Sequence, residues 1–157
     1  MYNVKVDYEE GCLPKYQKNG DVGADLVFCG AENVRVRKGD KVLLSTGLRV
    51  EMTNEIMATI HPRSGMAAKQ GVFAITGIID SGYRGEIKVN LVNLGDEDVI
   101  IEPYQRIAQI VFNPVIRPTF SKGIMSESER GEGGFGHTGK FMTQGVTEKK
   151  DYDPHYG

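Results

Sequence analysis

The sequence predicts an all-β domain with one short helix, and three observations predict it. Short stretches alternate apolar and polar residues, turn signals separate them, and glycine is about twice as frequent as in ordinary chains, at 20 of 157 residues. Asn33-Val34-Arg35-Val36-Arg37 alternates with period two, and Ile87-Lys88-Val89-Asn90-Leu91 sets Ile87, Val89 and Leu91 on one face. Further strands are expected over 42–45, 48–52, 56–60, 73–79, 99–101 and 107–112. Lys38-Gly39-Asp40, Asp80-Ser81-Gly82 and Gly95-Asp96 supply turns between them. Many short strands at this spacing point to a sandwich, jelly roll or barrel. The helix is expected over 64–70, with Ser64 placed to cap it.

Composition narrows the function classes. A chain of 157 residues builds one core, and 39% hydrophobic residues plus the glycines reach the ordinary globular share. Nineteen Lys+Arg against 21 Asp+Glu give a net charge of −2, without the basic excess of a nucleic-acid binder. A nucleotide-sized anion needs only a few local cations and stays open. No apolar run approaches the roughly 18 residues of a membrane span, so no membrane partner is expected. No basic stretch followed by an apolar one opens the chain, and Cys12 and Cys29 lack C-x-x-C spacing. Reduced thiols in a cytoplasmic protein are expected, with a disulfide as the alternative.

The character changes after Phe120. Residues 121–129 are polar, Gly131-Glu132-Gly133-Gly134-Phe135-Gly136 is glycine-rich, and 140–157 is charged and poor in apolar residues. Such a segment cannot bury enough surface to offset its ordering entropy. The expected division is therefore a β core over 1–120, a linker and flexible glycine-rich arm over 121–139, and a charged tail of unassigned role over 140–157.

Several motifs carry chemistry. Gly134-Phe135-Gly136-His137-Thr138-Gly139-Lys140-Phe141 approaches a P-loop, but Phe141 stands where Ser or Thr must bind magnesium, and no strand precedes it. A dinucleotide-binding turn fails for the same lack of context. Arg130 still offers a phosphate fork, the glycines admit close anion approach, and Phe135 offers a stacking face. A plain flexible tail is the alternative. His61-Pro62-Arg63-Ser64-Gly65 joins a cation and a hydroxyl to a helix start, either an anion site or a capped surface turn. Ile78-Ile79-Asp80-Ser81-Gly82-Tyr83-Arg84-Gly85-Glu86 ends an apolar strand on a carboxylate, which either forms the turn or orients a water. A structural Asp–Arg ion pair explains Asp25 and the Arg106–Gln109 pair as well as a site does. The three histidines show no metal-ligand spacing.

In order along the chain, these segments resemble the trimeric dUTPase family (dUTP diphosphatases). The match runs through Val22-Gly23-Ala24-Asp25-Leu26, Pro62-Arg63-Ser64-Gly65, Gly77-Ile78-Ile79-Asp80-Ser81-Gly82-Tyr83-Arg84-Gly85, Arg106-Ile107-Ala108-Gln109 and the run from Arg130 to Gly139. The resemblance implies a jelly-roll β-barrel with a flexible glycine-rich C-terminal arm, assembled as a homotrimer with active sites shared between subunits. It implies hydrolysis of dUTP to dUMP and pyrophosphate with Mg²⁺. Asp80 resembles the carboxylate that deprotonates the water attacking the α-phosphorus, and Tyr83 the ring that leaves no room for a 2′-hydroxyl. Main-chain groups around Gly77, Ile79 and Lys88 would read uracil. Arg63, Ser64, Gly65 and Gln109 would hold phosphates, Arg130, Gly136 and Thr138 would reach the γ-phosphate end, and Phe135 would stack on the base. Asp25 resembles a residue that either reaches the metal through a water or is structural. No protein side chain is expected to bind the metal directly, since Mg²⁺ is content with phosphate oxygens and waters.

Two other readings compete. A dCTP deaminase of the same fold would need a carboxylate placed on the cytosine amino group. A trimeric regulatory protein would keep nucleotide binding and use its surface or residues 140–157 on a partner.

Overall fold

Residues 3–128 and 131–132 are described by a computed structural model, and among them are ten strands and one short helix. The strands are β1 (Lys5–Tyr8), β2 (Ala24–Val27), β3 (Val34–Val36), β4 (Lys41–Glu51), β5 (Ile56–His61), β6 (Val72–Ala74), β7 (Ile78–Ile79), β8 (Ile87–Asn93), β9 (Val99–Ile101) and β10 (Arg106–Pro114). The helix, α1, is Ser64–Gln70. One antiparallel sheet runs β1-β4-β8-β6, a second runs β2-β10-β5-β7, and β3 pairs with β9 alone. This is the jelly-roll architecture that the strand spacing and the resemblance lead one to expect.

Period-two alternation decides which residues enter the core. Ile87, Val89 and Leu91 of β8 are buried, as are Ala58 and Ile60 of β5, and one apolar cluster draws on both four-stranded sheets. Each such Val, Leu or Ile side chain contributes roughly 1.5–3 kcal/mol by leaving water. Asn93 continues the inward face of β8 and is fully buried. Its amide donates to the carbonyls of Val36 (3.0 Å) and Glu97 (2.8 Å), and its oxygen accepts from Gly95 N–H (3.0 Å), so no buried polar atom is stranded.

The structure corrects several boundaries. The stretches expected over 42–45 and 48–52 are one strand, β4, carried through a register shift between Ser45 and Leu48. Gly47 makes that bulge possible, with φ at +63° in the region that favours glycine. The strand expected over 73–79 breaks into β6 and β7, which lie in different sheets. Ile75 N–H bonds Asn90 O at 2.8 Å on one side, and Gly77 O accepts from Ile60 N–H at 3.0 Å on the other, so the chain crosses between sheets at Thr76. Strands β1 and β2 are additional to those expected. Ser64 is not the cap of α1. Arg63 occupies the N-cap with extended geometry (φ −87°, ψ 127°) and makes no side-chain cap bond, and Ser64 is the first helical residue. The helix ends at Gly71, whose N–H bonds Ala67 O at 3.1 Å.

The chain divides into Met1–Pro118 and Thr119–Gly157. In the second unit the described residues lie outside regular structure, and Phe120, Ile124 and Met125 are exposed.

Candidate functional site

The break between β6 and β7 opens a cleft. Strand β6 pairs with β8 only over Leu91–Asn93, so residues 87–89 have a ladder partner on the β4 side alone among the described residues. The space left beside them is about 500 Å³, and Gly77, Ile79, Asp80, Tyr83, Glu86 and Lys88 all line it. Five of these, Glu86 apart, are residues the motifs single out. Around the point where a Cβ would stand on Gly77, nothing lies within 4 Å, so a ligand can approach the main chain there.

Local bonding fixes the far wall. Tyr83 N–H donates to Asp80 O at 3.0 Å and closes a turn, so Asp80 and Tyr83 stand at its two ends. Ser81, buried, donates its hydroxyl to Asn54 Oδ1 at 3.1 Å and ties that turn to the β4–β5 connection. The Tyr83 ring lies across Gly85, where an added Cβ would come within 2.3 Å of the phenol oxygen, and its hydroxyl donates to Glu86 O at 2.9 Å. The ring is half-exposed, facing the cleft rather than packed in the core. Asp80 is exposed, and its carboxylate bonds none of the other described residues. A carboxylate at the end of a paired strand, bordered by an aromatic ring held by its own hydroxyl bond, leaves its oxygens open as acceptors toward the cleft.

A second cluster lies on β2, β10 and the start of α1. Asp25, 4% exposed, accepts from Arg63 Nε at 3.1 Å and Arg106 Nη1 at 3.0 Å, with Gln109 Nε2 at 3.4 Å. Arg63 Nη1 also donates to Arg106 O at 3.1 Å. The structural Asp–Arg ion pair considered from sequence is therefore present, and it gathers the motif residues around one buried charge. Ser64 and Gly65 open α1, where first-turn N–H groups lack acceptors within the helix. These are hydrogen-bond donors and cations, a set suited to phosphate oxygens.

Arg63, Ser64, Gly65 and Gln109 do not line the Asp80 cleft, so one chain presents two separate groups of motif residues. Arg130, Phe135, Gly136 and Thr138 lie outside the described residues. Glu86 is a charged cleft residue to which no role attaches from sequence. Its significance depends on the bulge in β4, which is distant along the chain. Cys12 and Cys29 are both free thiols. Burial first, then the neighbouring Cys12 thiol and Glu9 carboxylate, pushes the Cys29 thiol up to about 12. Among the described residues no group of three or more His, Cys, Asp or Glu side chains could hold a metal, and no helix is long and apolar enough to cross a membrane.

The dUTPase family model matches residues 9–139. The chain belongs to the dUTPase family. A deoxyuridine 5′-triphosphate nucleotidohydrolase of Chlamydia pneumoniae is 44% identical over 133 residues, covering 82% of this chain and 92% of that one. Another, of a Thermoanaerobacter species, is 46% identical over 130 residues, covering 81% and 88%. Among solved structures, a Staphylococcus bacteriophage 80alpha dUTPase mutant with dUpNHpp aligns at a TM-score of 0.77 and 25% identity, over 88% of this chain and 99% of that one. The dUTPase of phage phi11 of S. aureus, in a mutant reported with a structural Mg(II) ion, shares the fold at a TM-score of 0.71 and 22% identity, over 80% and 99%.

Proposed function

We propose that this chain hydrolyses dUTP to dUMP and pyrophosphate, supplying dUMP and keeping uracil out of DNA. The observation that carries this reading is the cleft between β6 and β7, which sets the Asp80 carboxylate beside the Tyr83 ring and open main chain at Gly77. Uracil would be read by main-chain groups near Gly77, Ile79 and Lys88, and the Tyr83 ring would exclude a 2′-hydroxyl. Asp80 takes a proton from a water whose oxygen attacks the α-phosphorus. The bond from that phosphorus to the bridging oxygen breaks, and pyrophosphate leaves. Such chemistry needs positioning, charge neutralisation and one base, and no covalent nucleophile.

Arg63, Ser64, Gly65 and Gln109 would hold the phosphates. This donor set fits a metal that arrives on the nucleotide: guanidinium, hydroxyl, N–H and amide groups recognise phosphate oxygens, while both oxygens of Asp25 are already taken by arginines. Mg²⁺, held by triphosphate oxygens and waters, supplies further charge neutralisation when bound. Asp25 would then act on the metal only through a water, and on the phosphates by holding Arg63.

Completion of the site calls for further copies of the chain. The cleft and the Asp25 cluster share no lining residue, which favours a homotrimer in which one subunit supplies the Asp80 cleft and another the phosphate-binding group. Exposed apolar residues on the segment after β10, Ile116 (89% exposed) and Phe120 (94%) among them, favour burial against a neighbour. Residues 121–139 would close over the nucleotide with Arg130, Phe135, Gly136 and Thr138, and a cytoplasmic location suits an enzyme of the nucleotide pool.

The test is pyrophosphate release from dUTP beside dTTP, dCTP and UTP, with and without Mg²⁺. Release from dUTP alone, dependent on Mg²⁺, is expected. Ammonia release from dCTP, or binding of dUTP without turnover, would reject the assignment.

A further inference from the structure

Strand β4 does not run straight past β8. Ser45 pairs with Lys88 and Leu48 with Ile87, so Thr46 and Gly47 have no opposite residue in the ladder. Glu86, immediately before β8, fills that gap: its carboxylate accepts from Gly47 N–H at 2.9 Å and from the Ser45 hydroxyl. Thr46 completes the seam by donating its hydroxyl to Ile87 O. Glu86 also lines the cleft, and its carbonyl accepts the Tyr83 hydroxyl at 2.9 Å. One residue thus fastens the bulge with its side chain and the tyrosine ring with its main chain.

Resting on the reading that the cleft takes dUTP, we propose that Glu86 is a positioning residue for sugar discrimination, holding Tyr83 rigid by locking the start of β8 to the β4 bulge. The physical reason is one of stiffness. A ring excludes a 2′-hydroxyl only if it cannot swing aside, and a wall that gives by a fraction of an ångström loses discrimination before it loses binding. The Tyr83 ring is half-exposed, so packing alone does not hold it. It is held by its hydroxyl bond to Glu86 and by its seat on Gly85. Nearby Lys88 Nζ, 4.0 Å from the carboxylate, adds charge but little geometric constraint.

The test compares kcat/KM for dUTP and UTP in Glu86→Ala and Glu86→Gln. Glu86→Ala is expected to lower the dUTP-to-UTP ratio about tenfold, mainly through a lower KM for UTP. Glu86→Gln keeps an oxygen that accepts from Gly47 and Ser45, and it should hold the ratio within about twofold of wild type. A purely structural role would lower both substrates together and leave the ratio alone, which overturns the proposal. Should Glu86→Ala not fold, Ser45→Ala removes one donor from the carboxylate and reads the same ratio, with an about threefold fall expected and an unchanged ratio overturning the proposal. Wild-type protein that prefers dUTP beside a Glu86→Ala variant equally selective sinks this inference alone. Wild-type protein that does not turn over dUTP sinks the reading of the substrate as well.

Discussion

Asp25 holds Arg63. The carboxylate, nearly sealed from water, accepts the guanidinium Nε at 3.1 Å, while Arg106 Nη1 occupies its other oxygen at 3.0 Å. A buried charge flanked by two cations is costly to strip of its partners, because its desolvation is then uncompensated. The arrangement fixes a cation that faces outward, with a quarter of the Arg63 side chain exposed.

Replacing Asp25 should therefore harm phosphate handling more than folding alone explains. Asp25→Ala leaves two arginines whose side chains are 25% and 46% exposed and so stay partly hydrated, and the expected stability cost is about 3 kcal/mol, at the lower end for a broken buried pair. Urea unfolding measures it. KM for dUTP should rise because Arg63 is no longer held in place, and an unchanged KM would show that the pair serves only the fold.

Asp80→Asn separates binding from chemistry. The carboxylate makes no bond to the other described residues, so its amide replacement should leave stability within about 0.5 kcal/mol. Loss of the base should lower kcat by about 10²–10⁴. Titration with a non-cleavable dUTP analogue, read by calorimetry, should give near-native affinity. Normal turnover in this variant would remove Asp80 from the role of base.

Much of this was legible from residue order. Alternation marks β8 because one of its faces is buried, and it marks β3 as well, while β5 and β9 are found as short apolar, β-branched runs between turn signals. Lys5-Val6-Asp7-Tyr8 of β1 also alternates, but all four residues are exposed and no core face stands behind the pattern, whereas β2 breaks alternation because three consecutive residues, Ala24, Asp25 and Leu26, are buried. Motif order places Asp80, Tyr83, Gly77, Ile79 and Lys88 in one sequence neighbourhood, and the structure puts them on one cleft. What cannot be read locally is the opening itself, which exists because the chain leaves one sheet for the other at Thr76. Glu86 is hidden for a similar reason, since its partners, Ser45 and Gly47, are set by a bulge about 40 residues away.

Acid should expose the contribution of Glu86 to stability. Burial pushes its carboxyl up, but the Ser45 hydroxyl, the Gly47 N–H and the charges of Lys88 and Arg49 more than offset this, and the group sits below its ordinary 4.5. A carboxyl depressed on folding contributes stability that is present above the unfolded value and is lost as pH falls through the folded one. Wild type should therefore lose its advantage over Glu86→Gln as pH falls below about 4.5. Asp96 and Asp98 are also depressed, but they titrate alike in both proteins and cancel in the comparison. Thermal unfolding from pH 7 to pH 3 checks it, and a constant difference would mean that the carboxylate charge is not what Gly47 and Ser45 hold.

Cys29 should resist alkylation. The thiolate is the reactive form, and a thiol pushed up to about 12 by burial, Cys12 and Glu9 holds almost none of it near neutrality. Iodoacetamide at pH 8 should label native protein far more slowly than protein unfolded in urea, with intact mass as the readout. Because the folded value lies above the ordinary 9.0, the stability linked to this proton is complete below pH 9 and declines as pH rises toward about 12. Rapid native labelling at pH 8 would place the thiol in water.

Two truncations divide the C-terminal segment by role. Ending the chain at residue 128 removes Arg130 and Phe135, the proposed phosphate fork and the proposed stacking face, the latter worth roughly 1–3 kcal/mol for a base. The core strands and the Asp25 cluster all precede that point, so the assembly seen by analytical ultracentrifugation should persist while kcat/KM for dUTP falls by at least about tenfold. Ending it at residue 139 keeps those side chains and discards only the charged tail. On the proposal that residues 121–139 close over the nucleotide, residues 140–157 offer few apolar groups to add to that contact, and hydrolysis in the longer truncation should match the full chain. Full activity in the shorter one would show that the nucleotide is held without the arm.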